Sequence, residues 1–412
     1  MAGVAAAGPV WTTAAAAADT PIVKPLPPED FTVLGTNAEL RWDSPHPVGD
    51  VVPVSRFFVR NHTATPLLDA RTWRLEITGD GLRGGPVTVT YDDLLRLPSE
   101  TITAAIECAG NGRSFFTSQQ GQTVAGTAWR LGAIGVARWR GVPLATLLHR
   151  AGLARDAVDV LPEGLDADYV TGGVNLGRVR RPLPVGKALD DVLVAYEMNG
   201  EPLPPDHGFP ARLVVPGWIG IASIKWLGRI QVSRTPLDSP WDTQYYRLTG
   251  PDYPPEGVLV TRQNTKSVFE LPWRATLAAG REHVLRGRSW SGSGGIRRVE
   301  VSTDDGRTWR RAEFVGSGRG WQRWTLRWRP HPGEHTLRAR AVDRHGVAQP
   351  DTEPYNTQGY LFGAVVRHPV VAVSSRGPVA RSWPAATRDG RWARPRWWWS
   401  RSCPVVDPAL GA

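Results

Sequence analysis

Cys108, in the segment 106–113, is the residue with the clearest potential for chemistry. The 412-residue chain has two cysteines, and the other, Cys403, lies near its end. One thiol in the body of the chain cannot form a disulfide there or build a Cys-rich zinc or iron–sulfur site. It can be a nucleophile, a single soft metal ligand or a small core residue. The Ala-Gly-Asn-Gly segment 109–112 predicts a tight turn, and Arg113 would favour the thiolate, so the pattern favours the ligand.

Six landmarks in order along the chain surround this cysteine. They read FFVRNH at 57–62, ECAGN at 107–111, GAIGVARW at 132–139, AYEMNGEPLP at 195–204, DHGFPAR at 206–212 and SIKWLGR at 223–229. Together they resemble the sulfite oxidase family of molybdopterin enzymes, in which one cysteine sulfur binds molybdenum. The resemblance covers roughly residues 50 to 235.

The resemblance implies a molybdenum–molybdopterin cofactor, with Cys108 as the protein ligand to the metal. Arg60, Asn61 and His62 match positions that contact the pterin, whereas His207 and Arg212 match the phosphate end. Asp166 matches an acidic cofactor ligand, although Asp168 could be confused with it. The implied cofactor-binding residues are Phe58, Arg60, Asn61, His62, Cys108, Asp166, His207, Arg212, Ser223, Ile224 and Lys225.

A small anionic substrate such as sulfite is also implied, because Arg60 and Arg113 match the family's anion-binding arginines. Trp129 matches a tryptophan that lines the substrate pocket. A charged oxyanion needs paired donors to leave water, which explains why cations belong beside the metal. We therefore name Arg60, Arg113 and Trp129 as the candidate catalytic residues.

The chain departs from the family pattern at two places. Many sulfite-oxidising relatives carry a further arginine where this chain has Gly112. The Tyr-Gly-x-Ser-Ile-Pro segment of animal and plant sulfite oxidases is replaced by GRVRRPLP at 177–184, which lacks the tyrosine and contains Arg178, Arg180 and Arg181. These arginines could bind an anion, dock an acidic electron acceptor or form a solvated loop, and the solvated loop is the expected arrangement.

The secondary structure that would position these residues is predicted to be a mixture of helices and strands, which indicates an α+β domain over residues 46–250. Thr90 with Asp93 resembles a capping box that starts one short helix. Pro143 followed by Leu144, Leu147 and Leu148 predicts another, which ends by Gly152. For this region the resemblance implies the α+β fold of a sulfite-oxidase-type molybdopterin-binding domain.

Strict alternation of apolar and polar residues predicts a β-sandwich over residues 260–370. Examples are Val299 with Val301, the set Trp324, Leu326 and Trp328, and the set Leu337, Ala339 and Ala341. The resemblance implies an immunoglobulin-like domain that forms a homodimer. The segment 331–335, HPGEH, looks like the haem-binding turn of cytochrome b5, but it lies between two predicted strands, so we expect a turn and no haem.

The two ends of the chain differ in composition from its body. Residues 1–45 are expected to be a disordered or signal-like arm, whose Pro-rich part from 22 wraps the first domain. Residues 374–412 are rich in Arg and Trp and are expected to be disordered; seven arginines and two aspartates there supply +5 of the net charge of +10.

The remaining charge is scattered over the body, which argues against nucleic-acid binding. The sequence contains no apolar run of about 18 residues, so it predicts no membrane span. The compartment stays open: the cytoplasm, or the periplasm or another extracytoplasmic compartment if the start of the chain is a truncated export signal.

The resemblance thus implies an oxotransferase that oxidises sulfite to sulfate and passes electrons singly to an external acceptor such as a c-type cytochrome. Two alternatives stay open. One is a related enzyme that works in reverse, reducing an S-oxide or N-oxide. The other is a non-enzymatic interaction protein whose sandwich binds partners.

Overall fold

The first part of the chain is a mixed α+β domain, as the sequence predicted. The structure is a computed structural model and describes residues 21–374. The strands of this part are β1 Phe31–Leu34, β2 Asn37–Leu40, β3 Val59–Arg60, β4 Arg74–Thr78, β5 Val87–Thr90, β6 Glu100–Glu107, β7 Ile134–Pro143, β8 Asp159–Gly164, β9 Val170–Thr171, β10 Val174–Asn175, β11 Leu183–Pro184, β12 Leu193–Met198, β13 Glu201–Pro202, β14 Arg212–Val214, β15 Leu227–Ser233, β16 Arg247–Leu248 and β17 Val258–Leu259. Its α-helices are α1 Tyr91–Arg96, α2 Ser114–Gln120, α3 Leu144–Arg150, α4 Val185–Asp190 and α5 Pro240–Thr243.

Both helices predicted from local patterns are present. Helix α1 begins after Thr90, whose hydroxyl accepts from the Asp93 N–H while the Asp93 carboxylate accepts from the Thr90 N–H, so the capping box is confirmed. Helix α3 follows Pro143, and its three leucines are buried. The backbone of Gly152 then has a φ of +84°, which suits the end of a helix.

Two sheets carry most of the elements that position the candidate residues. One has the order β11-β8-β15-β4-β5, and the other has the order β13-β12-β7-β6 with β14 paired to β12. Cys108 follows the end of β6, where Glu107 lies opposite Ile134 of β7. Arg212 begins β14 opposite Ala195. The second sheet therefore brings segments more than a hundred residues apart in sequence to one region.

From residue 21 onward the N-terminal arm, described from the sequence as disordered or signal-like with a part from 22 that wraps the first domain, is folded against that domain. Strands β1 and β2 form a hairpin, and β2 pairs with β3, which places Asn37 opposite Arg60. The hairpin is stable in this position because Phe31, Ala38 and Leu40 are buried. The arm is thus part of the sheet that holds Arg60.

Nine further strands form the second part of the described chain, and they carry the predicted alternation. They are β18 Lys266–Phe269, β19 Ala275–Ala278, β20 His283–Trp290, β21 Ile296–Ser302, β22 Arg310–Arg311, β23 Glu313–Val315, β24 Gln322–Trp328, β25 Gly333–Asp343 and β26 His368–Val373. The sheets have the orders β18-β20-β24-β23 and β19-β26-β25-β21-β22. The eight apolar residues named above are all buried between them, which confirms the β-sandwich.

His331 and Pro332 lie in the connection between β24 and β25, whereas residues 333–335 are the first three residues of β25, so only the first part of the segment 331–335 is a turn. His335 Nε2 lies 2.8 Å from the carbonyl oxygen of His331. No helix among residues 21–374 has both the length and the apolar character needed to cross a bilayer. The predictions for residues 1–20 and for most of the 374–412 tail lie outside the described residues.

Candidate functional site

The loop after β6 holds Cys108 in a fixed turn. The Cys108 N–H donates to the Ala133 carbonyl oxygen at 2.9 Å, and the Cys108 carbonyl oxygen accepts from the Asn111 N–H at 2.9 Å. The thiol belongs to a residue that is only 7% exposed. The tight turn predicted from the Ala-Gly-Asn-Gly sequence is confirmed, and it presents a buried sulfur at the end of a strand.

The two glycines of this loop have different reasons to be there. A Cβ at Gly110 would lie 2.7 Å from the guanidinium of Arg113, so the bare backbone lets Arg113 fold back over the loop. Gly112 has a φ of +94°, and a Cβ there would lie 3.2 Å from that of Phe362. A side chain at position 112, such as the arginine of many relatives, would be strained here.

Two adjoining cavities gather all the predicted site residues. The first, called the Cys108 cavity, is lined by every candidate cofactor-binding residue, namely Phe58, Arg60, Asn61, His62, Cys108, Asp166, His207, Arg212, Ser223, Ile224 and Lys225, together with Phe57, Asp206, Trp226 and Tyr246 among others. The second, called the Arg113 cavity, is lined by Arg60, His62, Cys108, Arg113, Trp129, Tyr246, Tyr360 and several neighbours. Arg60, His62, Cys108 and Tyr246 line both, so the thiol stands at their junction.

One end of the Cys108 cavity is cationic. The Arg212 guanidinium donates to the carbonyl oxygens of Leu213, His207 and Ser223 at 3.2, 3.0 and 2.9 Å. Lys225 Nζ donates to Asn61 Oδ1 and, at 2.8 Å, to the Asp206 carbonyl oxygen. These cations are held by neutral oxygens. Burial lowers the pKa of Arg212 to about 9, because a charge is costly in the interior. Burial, with Arg212 nearby, holds the pKa of Lys225 well below its usual value, although Asp206 and Asp166 oppose this shift.

The histidines of this cavity are neutral for the same reason. Burial, with Arg60 and Lys225 nearby, holds the pKa of His62 well below its ordinary value. His62 Nε2 accepts the indole N–H of Trp241 at 3.2 Å and lies 3.1 Å from Arg60 Nη2, and both partners are donors only. The proton of His62 is therefore on Nδ1. Burial also lowers the pKa of His207, with a further contribution from Lys24.

Asp166 supplies an acceptor that the protein leaves unused. Its Oδ1 is buried and has no hydrogen-bond partner among the described residues. Burial raises the pKa of this carboxyl to about 6. A cavity with one orphaned acceptor and a cationic end suits a ligand with N–H donors on a ring and an anionic tail. The residues present therefore fit the pterin and phosphate that the resemblance implies.

Replacing Asp166 by asparagine is expected to stabilise the cofactor-free protein at neutral pH. Because the folded-state pKa is raised from 3.8 to about 6, ionisation of Asp166 disfavours the folded state, and stability is lost as pH rises from about 4 to about 6. The variant should gain on the order of 2 kcal/mol at pH 7 and almost nothing near pH 3.5. Urea unfolding of the cofactor-free protein at both pH values measures this. Asp168→Asn, at an exposed position two residues away, is the control and should show no pH-dependent gain.

Arg113 reaches into its cavity with donors to spare. Its Nε donates to the Gln358 carbonyl oxygen at 2.8 Å, and its Nη1 donates to the Thr127 carbonyl oxygen at 2.9 Å. Within residues 21–374 its Nη2 has no hydrogen-bond acceptor. Trp129 is fully buried beside it and lines the same cavity. Two backbone oxygens thus aim a guanidinium whose outer edge remains free for an anion.

The three arginines of the 177–184 segment do not share one environment, so the solvated-loop prediction is wrong for Arg181. Arg178 is exposed, and Arg180 is half-buried and donates to the carbonyl oxygens of Leu176 and Arg178. Arg181 is 1% exposed and donates to the carbonyl oxygens of Trp241 and Val260 at 2.5 and 2.6 Å. Burial lowers its pKa to about 10.

Sequence reasoning missed most of the aromatic wall of the Arg113 cavity. Its members are Tyr169, Trp241, Tyr245, Tyr246 and Tyr360, and Gln358 lines the same cavity. The adjacent pair Tyr245 and Tyr246 just after the resembling region was a usable signal. Tyr360 had none, because it lies at the far end of the second domain.

Comparison with known proteins agrees with this geometry. Residues 62–241 match the family described as oxidoreductase molybdopterin binding domain, and residues 259–371 match the Mo-co oxidoreductase dimerisation domain. Mitochondrial sulfite oxidase of Homo sapiens is 37% identical over 338 residues, which are 76% of this chain and 60% of that protein. An NADH nitrate reductase of Ulva prolifera is 33% identical over 290 residues, which are 63% of this chain and 32% of the reductase.

A solved structure has the same fold. The sulfane dehydrogenase SoxCD from Paracoccus pantotrophus superposes with a TM-score of 0.69 at 30% identity, covering 82% of this chain and 84% of that one. The chain spans 60% of the length of the human relative. With both domains matched and the solved relative covered over most of its length, the chain belongs to the sulfite oxidase family of molybdopterin-dependent oxidoreductases.

Proposed function

We propose that this enzyme oxidises sulfite to sulfate and passes the electrons one at a time to an external acceptor such as a c-type cytochrome. The observation that carries the proposal is the position of Cys108 at the junction of two cavities, one fitted to a pterin with an anionic tail and the other supplied with cations. The similarity to a sulfite oxidase supports it. An acidic or neutral second cavity would not suit an oxyanion.

The Cys108 cavity would hold the molybdenum cofactor. When bound, the cofactor supplies two-electron oxo transfer, and the Cys108 sulfur would be its protein ligand. Asp166 would accept a hydrogen bond from the pterin, and the neutral His62 would donate one through Nδ1. Arg212 and Lys225 would neutralise the phosphate, since neutral oxygens orient both side chains and a bound anion would favour their charged forms.

The Arg113 cavity would bind the substrate anion. Arg113 offers its free Nη2 edge, and Arg60 lies on the boundary between the two cavities, where it can face both ligands. Trp129 excludes water from one wall because its ring is fully buried. Removing water strengthens the attraction between guanidinium and oxyanion. In this arrangement the protein binds and orients the anion beside the sulfur.

Reduction of an S-oxide or N-oxide is the second candidate, favoured by the similarity to a nitrate reductase. Anaerobic optical spectra of the cofactor-loaded enzyme distinguish the two reactions. For sulfite oxidation, sulfite should bleach the oxidised enzyme, whereas nitrate and dimethyl sulfoxide should not reoxidise the dithionite-reduced enzyme. If sulfite does not bleach the oxidised enzyme, and nitrate or dimethyl sulfoxide reoxidises the reduced enzyme, the second candidate replaces the first.

We also propose a homodimer formed through the sandwich. The match of residues 259–371 to a dimerisation domain supports it. The sandwich exposes large apolar side chains, including Val284, Phe314 and Val347. Light scattering coupled to size exclusion should give twice the chain mass of 45.1 kDa. A monomer at micromolar concentration would contradict the dimer.

Replacing Arg113 by alanine should raise the sulfite KM about 30-fold, equivalent to about 2 kcal/mol of lost charged hydrogen bonding. The effect falls on the anion because Arg113 uses its other donors on backbone oxygens. Steady-state kinetics with sulfite measure it, with molybdenum content determined in parallel. Arg229→Ala, on the exposed side of β15, is the control and should leave KM unchanged. An unchanged KM in the Arg113 variant would point to a substrate without negative charge.

A further inference from the structure

A third cavity lies where the N-terminal hairpin, the segments next to Arg113 and Trp129, and the sandwich meet. This cavity, called the Glu39 cavity, has a volume of about 400 Å³. Small-molecule sites typically have volumes of about 300–1000 Å³ and often lie between domains. The Glu39 cavity shares no lining residue with the Cys108 cavity or the Arg113 cavity. The proposed reaction therefore leaves it unused.

Glu39 supplies a buried carboxyl group to this cavity. The residue is 3% exposed, and its Oε2 accepts the backbone N–H groups of Arg130 and Gly132 at 2.9 and 3.2 Å. Its Oε1 has no hydrogen-bond donor within residues 21–374. Burial raises the pKa of this carboxyl to about 7, although the two N–H groups and the charge of Arg130 oppose the shift. A cation in the cavity would bind the unused oxygen and favour the carboxylate.

Arg130 adds a guanidinium that has no carboxylate partner of its own. The Asp43 carboxylate, which also lines the cavity, pairs instead with Arg41 at 2.9 Å. His368 in the same lining is neutral at physiological pH, because burial lowers its pKa to about 4. Among the described residues that line the cavity, Glu39 and Arg130 are thus the two charged groups without an ion pair.

Aromatic side chains make much of the remaining wall apolar. They are Trp42, Phe115, Phe269 and Trp273. The ring centroids of Phe115 and Trp273 are 6.0 Å apart, and the Trp42 indole N–H already donates to the Leu131 carbonyl oxygen at 2.8 Å. The Arg130 guanidinium lies 5.6 Å from the ring centroid of Trp273, so a cation–π contact holds it at this wall. An apolar group beside one negative and one positive charge would fit these surroundings.

The pair of opposite charges favours a ligand that carries both signs. A simple cation would satisfy Glu39 but would be repelled by Arg130, and a simple anion would meet the reverse. An α-amino acid carries an ammonium and a carboxylate on one carbon, next to its side chain. Such a ligand can bind both charges without adding net charge to a partly buried space.

We propose that the Glu39 cavity is a second binding site, which takes an α-amino acid with an apolar side chain. Glu39 Oε1 accepts from the ligand ammonium, Arg130 donates to the ligand carboxylate, and the aromatic walls pack against the ligand side chain. The site requires neither the cofactor nor the substrate anion, so it is independent of the proposed function.

Calorimetric titration of the full-length, cofactor-loaded enzyme with L-phenylalanine tests the site. We expect one site per chain with a Kd of about 100 μM or below. Glycine, which has no side chain to contact the aromatic walls, should bind at least about tenfold more weakly. Sulfate should not compete, because its cations lie in the Arg113 cavity. Absence of binding at about 10 mM L-phenylalanine, or its displacement by sulfate, would overturn the proposal.

Two charge variants and two truncated ligands separate the roles of Glu39 and Arg130. Glu39→Gln keeps an oxygen for the two backbone N–H groups and loses the charge, and Arg130→Gln loses the guanidinium. Each should weaken binding of L-phenylalanine about tenfold or more. 3-Phenylpropionate, which has no ammonium, should lose no affinity in Glu39→Gln, and 2-phenylethylamine, which has no carboxylate, should lose none in Arg130→Gln. Arg138→Gln, at an exposed position of β7 outside the cavity, is the matched control and should leave every affinity unchanged.

Unchanged affinity for L-phenylalanine in both charge variants would show that these groups do not bind the ligand. If Glu39→Gln does not fold, Arg130→Gln and the three ligands on the parent enzyme still decide the proposal. L-phenylalanine should then bind the parent at least about fivefold more tightly than either truncated ligand, and equal affinities would contradict the paired charges. Calorimetry needs no turnover, so a failure of this site and a failure of sulfite oxidation are distinguishable.

Discussion

Serine in place of Cys108 is expected to abolish turnover while the fold survives. A thiolate is a soft ligand that suits a metal which changes its oxidation state during turnover. A serine hydroxyl is a harder ligand and stays protonated at neutral pH. Turnover should fall at least about 1000-fold, equivalent to about 4 kcal/mol in the barrier. Because the two side chains have similar shape and Cys108 is buried, the free energy of unfolding should fall by only about 1 kcal/mol.

Turnover with sulfite, molybdenum content and urea unfolding measure these effects. Cys403→Ser is the matched control, since it makes the same exchange and leaves the thiol at the junction of the cavities intact. Retention of more than a tenth of the parent turnover by the Cys108 variant would remove the sulfur from the reaction. A large loss of stability would instead point to a core role for the thiol.

Most members of the candidate site could be named from the sequence because they occur in four of the six segments that resemble the family, whereas Arg113, Trp129 and Asp166 lie outside those segments. Every residue named from those segments lies on the Cys108 cavity or the Arg113 cavity. The secondary structure that positions them is also local in origin: the capping box before α1 and the Pro143 start of α3 depend only on neighbours within a few residues. Such features need no knowledge of tertiary contacts.

The aromatic wall could not be predicted, because long-range packing creates it. Tyr246 meets Tyr360 across 114 positions of sequence, and no local pattern indicates the stacking. The same is true of Lys24, whose Nζ lies 3.5 Å from His207 Nε2. The arm that carries it was expected to wrap the first domain, but no local pattern indicated this contact with the site. Composition described this arm as Pro-rich and polar, and the hairpin depends on a partner strand that lies further along the chain.

The alternation of apolar and polar residues correctly predicted which side chains face the core of the sandwich. Two of the polar side chains that it places on the outer face are, however, buried. Arg338 and Ser302 alternate with core residues, yet they are 7% and 1% exposed. Arg338 Nη2 donates to Asp351 Oδ1 at 2.5 Å, and Ser302 Oγ donates to Asp304 Oδ1 at 2.7 Å. Loops cover these polar positions and satisfy their hydrogen bonds, so burial there follows from loop placement, which periodicity does not record.

Behind the Cys108 loop, Glu107 and Lys266 form a buried ion pair that joins the two domains. Glu107 Oε1 and Lys266 Nζ are 2.7 Å apart, and both side chains are 2% exposed. Asn111 Nδ2 also donates to Glu107 Oε1 at 2.9 Å, and Lys266 Nζ donates to the Asn111 carbonyl oxygen at 2.8 Å. The first strand of the sandwich thus holds the turn that presents the sulfur.

Replacing Lys266 by methionine is expected to lower the free energy of unfolding by about 3–5 kcal/mol, because Glu107 would remain buried without a counter-charge. Lys266→Met combined with Glu107→Gln should recover much of this loss, since the orphaned charge is then gone. Urea unfolding of the cofactor-free proteins measures both. Lys187→Met is the control: Lys187 pairs with Asp191 at 2.5 Å, but the side chains are 15% and 40% exposed, so its loss should cost less than about 1 kcal/mol.

The same variants test whether the sandwich acts on the site as well as on stability. If the pair holds the Asn111 turn, Lys266→Met should lower molybdenum content together with stability, because Cys108 accepts from the Asn111 N–H in that turn. The double variant should regain stability, but it still lacks the Lys266 contact to Asn111 and should therefore still load molybdenum poorly. Full loading of the double variant would mean that the ion pair serves the fold alone, and that the Cys108 turn is held by β6, β7 and its own backbone hydrogen bonds.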